Sequence, residues 1–157
     1  MLQAGDRAPE FSLPDQDGRT VTLASLLQNG PLVLYFYPAD FTPGCTKEAC
    51  SIRDIHGEMA AAGLQVVGIS PQDSESHARF RERHELPFPL LADPAKEAVK
   101  AYGVDGPLGM GVRRGTFLIS EDGVIRGTLL ADLRIGRHED FIRQAMAAQG
   151  APRRPGS

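Results

Sequence analysis

The 157-residue sequence lacks the features that mark secreted, membrane-spanning and nucleic-acid-binding proteins. It holds only two cysteines, too few for the disulfide framework of a small secreted domain. No apolar run approaches the ~18 residues that a membrane-spanning helix needs. The formal net charge is −3, so no basic field favours nucleic acid or a charged membrane surface as a partner. The first residues contain neither a basic nor an apolar signal region, and we expect a cytoplasmic protein.

Residue patterns that bind metals, phosphates or organic redox cofactors are also missing. No Gly-rich phosphate loop and no flavin or nicotinamide signature is present. The histidines lack metal-binding spacing and are expected to be solvated or packed within helices. They are His56, His77, His84 and His138. We interpret Asp40, Glu48 and Asp54 as surface charges, although Glu48, three residues after a cysteine, could join a local network. The sequence therefore predicts no metal and no cofactor.

The sequence does contain the succession of apolar runs and helical stretches that is typical of an α/β fold. An apolar run over 31–37 predicts a strand buried on both faces. A helix is predicted to begin at Thr42 and Pro43 and to run to Ala62, ahead of a second strand over 64–70. Strand, helix and strand in this order form a crossover unit, which makes the two strands parallel.

The second half of the sequence predicts an antiparallel hairpin and a closing helix. Runs over 116–119 and 124–129 flank a Glu-Asp-Gly turn. Smaller elements are predicted as a hairpin over 11–13 and 20–23, helices over 24–28, 74–85, 95–102 and 138–149, and a short strand ending at Leu91. Together they predict an α/β, thioredoxin-like three-layer sandwich, a mixed central sheet with helices on both faces. We expect one domain over 1–150 and a flexible tail over 151–157.

The first cysteine lies at the start of the long predicted helix. Thr42 is a good N-cap and Pro43 suits the first helical position, which places Gly44 second and Cys45 third. The first turn of a helix carries unpaired N–H groups and the positive end of the helix dipole, and both favour a thiolate. A buried, inert cysteine is the alternative, but the cap, the proline and the glycine converge to favour a nucleophile.

The second cysteine follows five residues later on the same helix. On an intact helix, five residues rise ~7.5 Å and turn ~140°, which leaves the Cα atoms of Cys45 and Cys50 ~8.5 Å apart. A disulfide needs these atoms within about 4.4–6.8 Å. Either the pair never closes, or the first turn unwinds when it does. Cys50 could also be a small core residue, whereas a metal site would need ligands that the spacing does not supply.

The segment around these cysteines resembles a known family. Pro38-x-x-x-Thr42-x-x-Cys45 resembles the active-site signature of peroxiredoxins. The run from Thr42 to Cys50 resembles the group called peroxiredoxin Q or bacterioferritin comigratory protein. Further segments similar to this group follow in order, so that the resemblance covers about 3–148.

The resemblance implies a thiol peroxidase and a role for each of five residues. Cys45 would be the peroxidatic cysteine that attacks the peroxide, and Cys50 the resolving cysteine that closes an intramolecular disulfide. Thr42 would hydrogen-bond the thiolate and the peroxide, Pro38 would shield the pocket from water, and Arg114 would support the developing charge. The substrates would be hydrogen peroxide and organic hydroperoxides. A thioredoxin-like protein would be the reductant, and the group is often monomeric.

Two alternatives and three departures from the family pattern stay open. A thiol–disulfide oxidoreductase would need Cys-x-x-Cys, which is absent, whereas a peroxide-sensing switch could use the same two cysteines. The connection between Tyr102 and Arg114 is rich in glycine and shorter than usual for the family. Gly115 stands where serine is common, and Phe41 stands where a polar residue is common. Phe41 leads us to expect a preference for apolar hydroperoxides.

Overall fold

A computed structural model of the protein describes residues 1–150. The tail predicted at 151–157 lies outside the described residues. The strands are β1 Ser12–Pro14, β2 Thr20–Thr22, β3 Leu32–Phe36, β4 Gln65–Ser70, β5 Leu90–Ala92, β6 Gly115–Ile119 and β7 Ile125–Leu130. The α-helices are α1 Leu23–Leu27, α2 Pro43–Ala61, α3 Ser74–His84, α4 Glu97–Ala101 and α5 Gly136–Gly150. Among these residues no helix is both long and apolar enough to span a bilayer.

A five-stranded sheet organises the molecule, with the strands in the order β5-β4-β3-β6-β7. β3 is parallel to β4, and β4 is parallel to β5. β6 is antiparallel to both β3 and β7. All five residues of β3 are buried because the strand is central and covered on both faces. The predicted crossover unit, hairpin and mixed sheet are confirmed.

Residues of β3 alternate between two hydrophobic cores. Leu32, Leu34 and Phe36 pack in the core that includes residues of α1, α4 and the β1–β2 hairpin. Val33 and Tyr35 pack in the opposite core, with residues of α2, α3 and α5. This period of two is the geometry of a strand, and it produces three layers. Helices therefore lie on both faces of the sheet, as predicted, and Tyr35 points into the same core as Cys45.

The start of α4 differs from its prediction. The sequence predicts a helix from Ala95, but Lys96 takes a left-handed conformation with φ of 56° and the helix begins at Glu97. The Asp93 carboxylate still caps it, because it accepts hydrogen bonds from the N–H groups of Glu97 at 2.9 Å and Val99 at 3.0 Å. Asp93 thus binds the start of α4 as predicted, but the N-cap position is Lys96 and the predicted helix start at Ala95 was wrong.

The short Gly-rich connection before β6 folds back on itself. Asp105 forms an isolated bridge with Val112, and a Cβ atom on Gly106 would collide with the Met110 carbonyl oxygen. After this turn, the backbone N–H of Arg114 donates to Asp132 at 2.9 Å. The connection therefore delivers Arg114 to the start of β6 in a fixed position.

Candidate active site

The first turn of α2 has the predicted arrangement around Cys45. Thr42 is the N-cap in extended backbone, with ψ of 149°, and Pro43 is the first helical residue. Cys45 is 1% exposed. The Thr42 hydroxyl does not cap the helix but donates to the Ala39 carbonyl at 3.1 Å. Because no Thr42 side-chain cap occupies them, the first-turn N–H groups are available to a negatively charged atom.

Arg114 lies against this first turn. A Cβ atom on Gly44 would sit 2.8 Å from Nη2 of Arg114 and 3.0 Å from Cδ1 of Ile135. Only glycine leaves room for the guanidinium at this distance. The structure thus brings Arg114, from the start of β6, to the residue next to Cys45. Two separate parts of the chain therefore place positive charge at the helix turn that carries Cys45, namely the helix N-terminus and the guanidinium.

The other predicted site residues lie close to this turn in sequence, and they differ in exposure. Pro38 directly follows the last buried residue of the β3 run and is half-buried. Cys50 is half-buried and lies on the same uninterrupted helix as Cys45, and both thiols are free. Phe41 has φ of 64°, is 49% exposed and packs edge-on against Phe80, with the ring centres 5.2 Å apart. The geometry places Arg114 against Gly44 in the first turn of α2, which Thr42 and Cys45 share, and leaves Cys50 farther along the helix.

Glu48 was wrongly predicted as a surface charge. It lies one turn after Cys45 and is 1% exposed. Its Oε1 atom is 3.4 Å from Nη1 of Arg114. Burial raises the pKa of Glu48 to about 8, although Arg114 acts in the opposite direction. The three-residue spacing from Cys45 was the one sequence signal for this contact.

His138 extends this buried polar network. It is packed within the structure, as expected, but its polar partners were not predicted. Its Nε2 atom donates to the Ala131 carbonyl at 2.9 Å, and its Nδ1 atom is 2.7 Å from the Thr116 hydroxyl. Nδ1 is also 3.5 Å from Oε2 of Glu48. Burial lowers the pKa of His138.

Asp40 was also wrongly predicted as a surface charge, and it anchors the loop that precedes α2. Its carboxylate accepts hydrogen bonds from Tyr37 Oη at 2.6 Å, Ser76 Oγ at 2.8 Å and His77 Nδ1 at 2.7 Å. Its backbone N–H donates to Gln72 Oε1 at 2.5 Å. The loop that carries Pro38 and Thr42 is therefore tied to α3 and to the loop that follows β4.

No group of three or more metal-ligating side chains is found among residues 1–150. The site instead combines a buried thiol, a helix N-terminus and an arginine. That combination suits reaction of a thiolate with a small, polarised molecule.

Residues 4–128 match the AhpC/TSA family. The chain belongs to this family. A protein of Mycobacterium tuberculosis whose name places it among the peroxiredoxins is 49% identical over 130 residues, which cover 79% of this chain and 82% of that protein. Peroxiredoxin Q from the chloroplast of Oryza sativa subsp. japonica is 46% identical over 126 residues, covering 80% of this chain and 58% of that protein.

Solved peroxiredoxin structures have the same fold. Peroxidoxin BcpB from Mycobacterium tuberculosis superposes with a TM-score of 0.88 at 38% identity, covering 94% of this chain and 98% of the other. A variant of PrxQ from Xylella fastidiosa gives a TM-score of 0.85 at 27% identity, with the same coverage. The resemblance to peroxiredoxin Q and the thioredoxin-like fold are confirmed. As a peroxiredoxin, the chain is a thiol-dependent peroxidase.

Proposed function

We propose that Cys45 is the nucleophile with which this peroxiredoxin reduces hydrogen peroxide and organic hydroperoxides. The observation that carries the proposal is the position of Cys45 at the third residue of α2, beside the guanidinium of Arg114 that lies over Gly44. Both features favour a thiolate over a thiol.

The first step is attack of the Cys45 thiolate on one oxygen of the peroxide. A sulfur–oxygen bond forms, the O–O bond breaks, and the other oxygen takes a proton and leaves as water or an alcohol. Arg114 stabilises the charge that develops on the leaving oxygen. The Thr42 hydroxyl, which now donates to Ala39, can turn to the bound peroxide, and Pro38 excludes water from the pocket. The product is the sulfenic acid of Cys45.

The second step assigns Cys50 as the resolving cysteine. Its thiolate attacks the sulfur of the Cys45 sulfenic acid, which forms a disulfide and releases the oxygen as water. Because Cys45 and Cys50 lie on one continuous helix, the first turn of α2 has to unwind before the sulfur atoms can meet. A thioredoxin-like dithiol protein then reduces the disulfide and is itself oxidised.

The proposed cycle also fits a monomer in the cytoplasm. Cys45, Cys50, Thr42, Pro38 and Arg114 all come from one chain, so the site needs no second subunit. A disulfide that must be reduced in every cycle suits a reducing compartment. Size-exclusion chromatography with light scattering would test the monomer, and a dimer mass would contradict it.

The function is tested by steady-state turnover with peroxide, a thioredoxin, its reductase and NADPH. We expect Cys45→Ser to abolish turnover. Cys50→Ser should lose turnover with thioredoxin while it still consumes one equivalent of peroxide and forms a sulfenic acid at Cys45. Full turnover by Cys45→Ser would contradict the assignment of the nucleophile. Oxidation of the parent protein without turnover would favour the peroxide-sensing switch.

A further inference from the structure

Glu48 has poor contacts for an ionised carboxylate. It is 1% exposed, and its contact with Arg114 is 3.4 Å long, whereas charge-assisted hydrogen bonds are usually about 2.7–2.9 Å. Its Oε2 atom accepts no hydrogen bond from any residue in the described range 1–150. An ionised carboxylate has about four acceptor positions, and burying it without donors is costly. The contacts therefore favour a neutral carboxylic acid.

His138 cannot supply the missing donor in its neutral form. Because a carbonyl oxygen only accepts, the 2.9 Å contact with Ala131 requires the ring proton to be on Nε2. Nδ1 then holds a lone pair, which accepts from the Thr116 hydroxyl at 2.7 Å. That lone pair also faces Oε2 of Glu48 at 3.5 Å, where a second lone pair would repel it. A proton on Glu48 removes the repulsion.

The remaining titratable groups near Glu48 come from three elements. Arg114 faces it from the start of β6 and is the one permanent cation in contact with it within the described residues. Tyr35 faces it from β3, and its hydroxyl is buried without a hydrogen-bond partner there. Burial raises the pKa of Tyr35, and Glu48 and Cys45 raise it further. Cys45 lies one turn earlier on α2. None of these groups except Arg114 favours a charged Glu48.

We propose that Glu48 is a positioning residue which the folded protein holds as a neutral carboxylic acid, so that the charge of Arg114 stays available to Cys45 and the peroxide. This inference rests on the proposed role of Cys45 as the nucleophile. Ionisation of Glu48 compensates the charge of Arg114 and adds a negative charge one turn from Cys45. Both effects weaken the stabilisation of the negative charge that develops on the leaving oxygen, so peroxide reduction slows in mildly alkaline solution. Glu48 acts through Arg114 and does not itself touch the peroxide.

The first test compares pH profiles of kcat/KM for hydrogen peroxide between about pH 6 and pH 9.5. The parent protein should lose activity above about pH 8, where burial places the pKa of Glu48. Glu48→Gln, which cannot ionise, should lack this alkaline decline. Glu58→Gln is the matched control, because Glu58 is an exposed residue of the same helix, paired with Arg143, and the decline should persist. A decline that persists in Glu48→Gln, or its absence from the parent, would overturn the proposal.

A second test follows the protonation of Glu48 through the pH dependence of protein stability and needs no activity measurement. In the unfolded chain Glu48 loses its proton near its ordinary value of 4.5, whereas the folded-state pKa is about 8. The folded form therefore binds the extra proton between these values, and the stability of the parent falls as the pH rises through that window. The difference in urea midpoint, Glu48→Gln minus parent, should therefore rise from about pH 5 to pH 8 and then level off.

The two tests separate the inference from the function on which it rests. A constant gap in urea midpoint across this range would mean that Glu48 is ionised throughout, which would overturn the inference even in an active enzyme. A rising difference in urea midpoint in a protein without Cys45-dependent turnover would refute the proposed function but would still support a neutral Glu48. Glu48→Leu, which has no ionisable group, serves as the second variant where Glu48→Gln does not fold.

Discussion

At the scale of single residues, Gly44 sets the distance between the Arg114 guanidinium and the start of α2. A Cβ atom at this position would meet Nη2 of Arg114 at 2.8 Å and Cδ1 of Ile135 at 3.0 Å. We expect Gly44→Ala to displace the guanidinium and to lower kcat/KM by roughly 10²-fold, since shifts of about 1 Å have effects of that size. The measurement is peroxide consumption by the variant under pseudo-first-order conditions.

Gly57 offers a matched control for this substitution. It lies in the same helix, and a Cβ atom there would meet no atom within 4 Å. We expect Gly57→Ala to keep the parental rate and to stabilise the protein by about 0.5–1 kcal/mol, because alanine is the better helix residue. A parental rate in Gly44→Ala would show that the position of Arg114 is not critical.

Phe41 is the residue from which we expect a substrate preference. It precedes Thr42, and its half-exposed ring packs against Phe80. An apolar ring beside the active-site turn can contact the carbon chain of an organic hydroperoxide, and one such contact is worth ~1 kcal/mol. Phe41→Asp should lower the ratio of kcat/KM for cumene hydroperoxide to that for hydrogen peroxide by about fivefold. An unchanged ratio would assign Phe41 to packing alone.

At the scale of elements, the proposed cycle requires α2 to be stable in the reduced protein and to open in the oxidised one. Cys45 is buried in its first turn, and the backbone N–H of Thr46 donates to the Thr42 carbonyl at 2.9 Å. Disulfide formation with Cys50 requires these first-turn hydrogen bonds to break, at a cost far below that of global unfolding.

Hydrogen exchange tests this opening of α2. We expect the amides of residues 46–49 to lose protection when peroxide converts the parent to the disulfide form. Cys50→Ser is the control, because its sulfenic acid has no resolving partner, and these amides should stay protected. A disulfide form in which residues 46–49 keep the protection of the reduced protein would rule out the unwinding.

Local sequence patterns predicted the elements of the fold and the helix start, but not the burial of the charges. Neighbouring residues alone determine that the β3 run forms a strand and that the Thr-Pro-Gly-Cys segment starts a helix. The burial of Glu48 and Asp40 depends instead on contacts with distant partners: Arg114 is 66 positions from Glu48, and His77 is 37 positions from Asp40. An acidic residue among polar neighbours is normally exposed, so nothing local signalled burial. Arg114 was identified as a site residue through the family resemblance, because its residue type and position alone fit an exposed strand-end charge equally well.

At the scale of the whole molecule, the Asp40–His77 pair connects the active-site loop to the sheet and its helices. His77 comes from α3, and its Nε2 atom donates to the Leu91 carbonyl of β5 at 3.0 Å. Its Nδ1 atom donates to Asp40 at 2.7 Å. Both ring nitrogens therefore contact oxygen atoms of other elements, which fixes the imidazole between the active-site loop and β5. Both side chains are almost fully buried, at 0% and 1% exposure.

A double-mutant cycle measures how strongly this pair stabilises the fold. We expect His77→Gln to lower the free energy of unfolding by about 1–3 kcal/mol, because the buried Asp40 carboxylate loses its contact with the imidazole and keeps only those with Tyr37 and Ser76. Asp40→Asn combined with His77→Gln should cost less than the sum of the single variants, with a coupling of roughly 1–3 kcal/mol in urea denaturation. Glu75 and Arg79 form an exposed pair on the same helix, and their cycle should give only about 0.3–0.5 kcal/mol. Equal couplings in the two cycles would mean that burial does not strengthen the contact between Asp40 and His77.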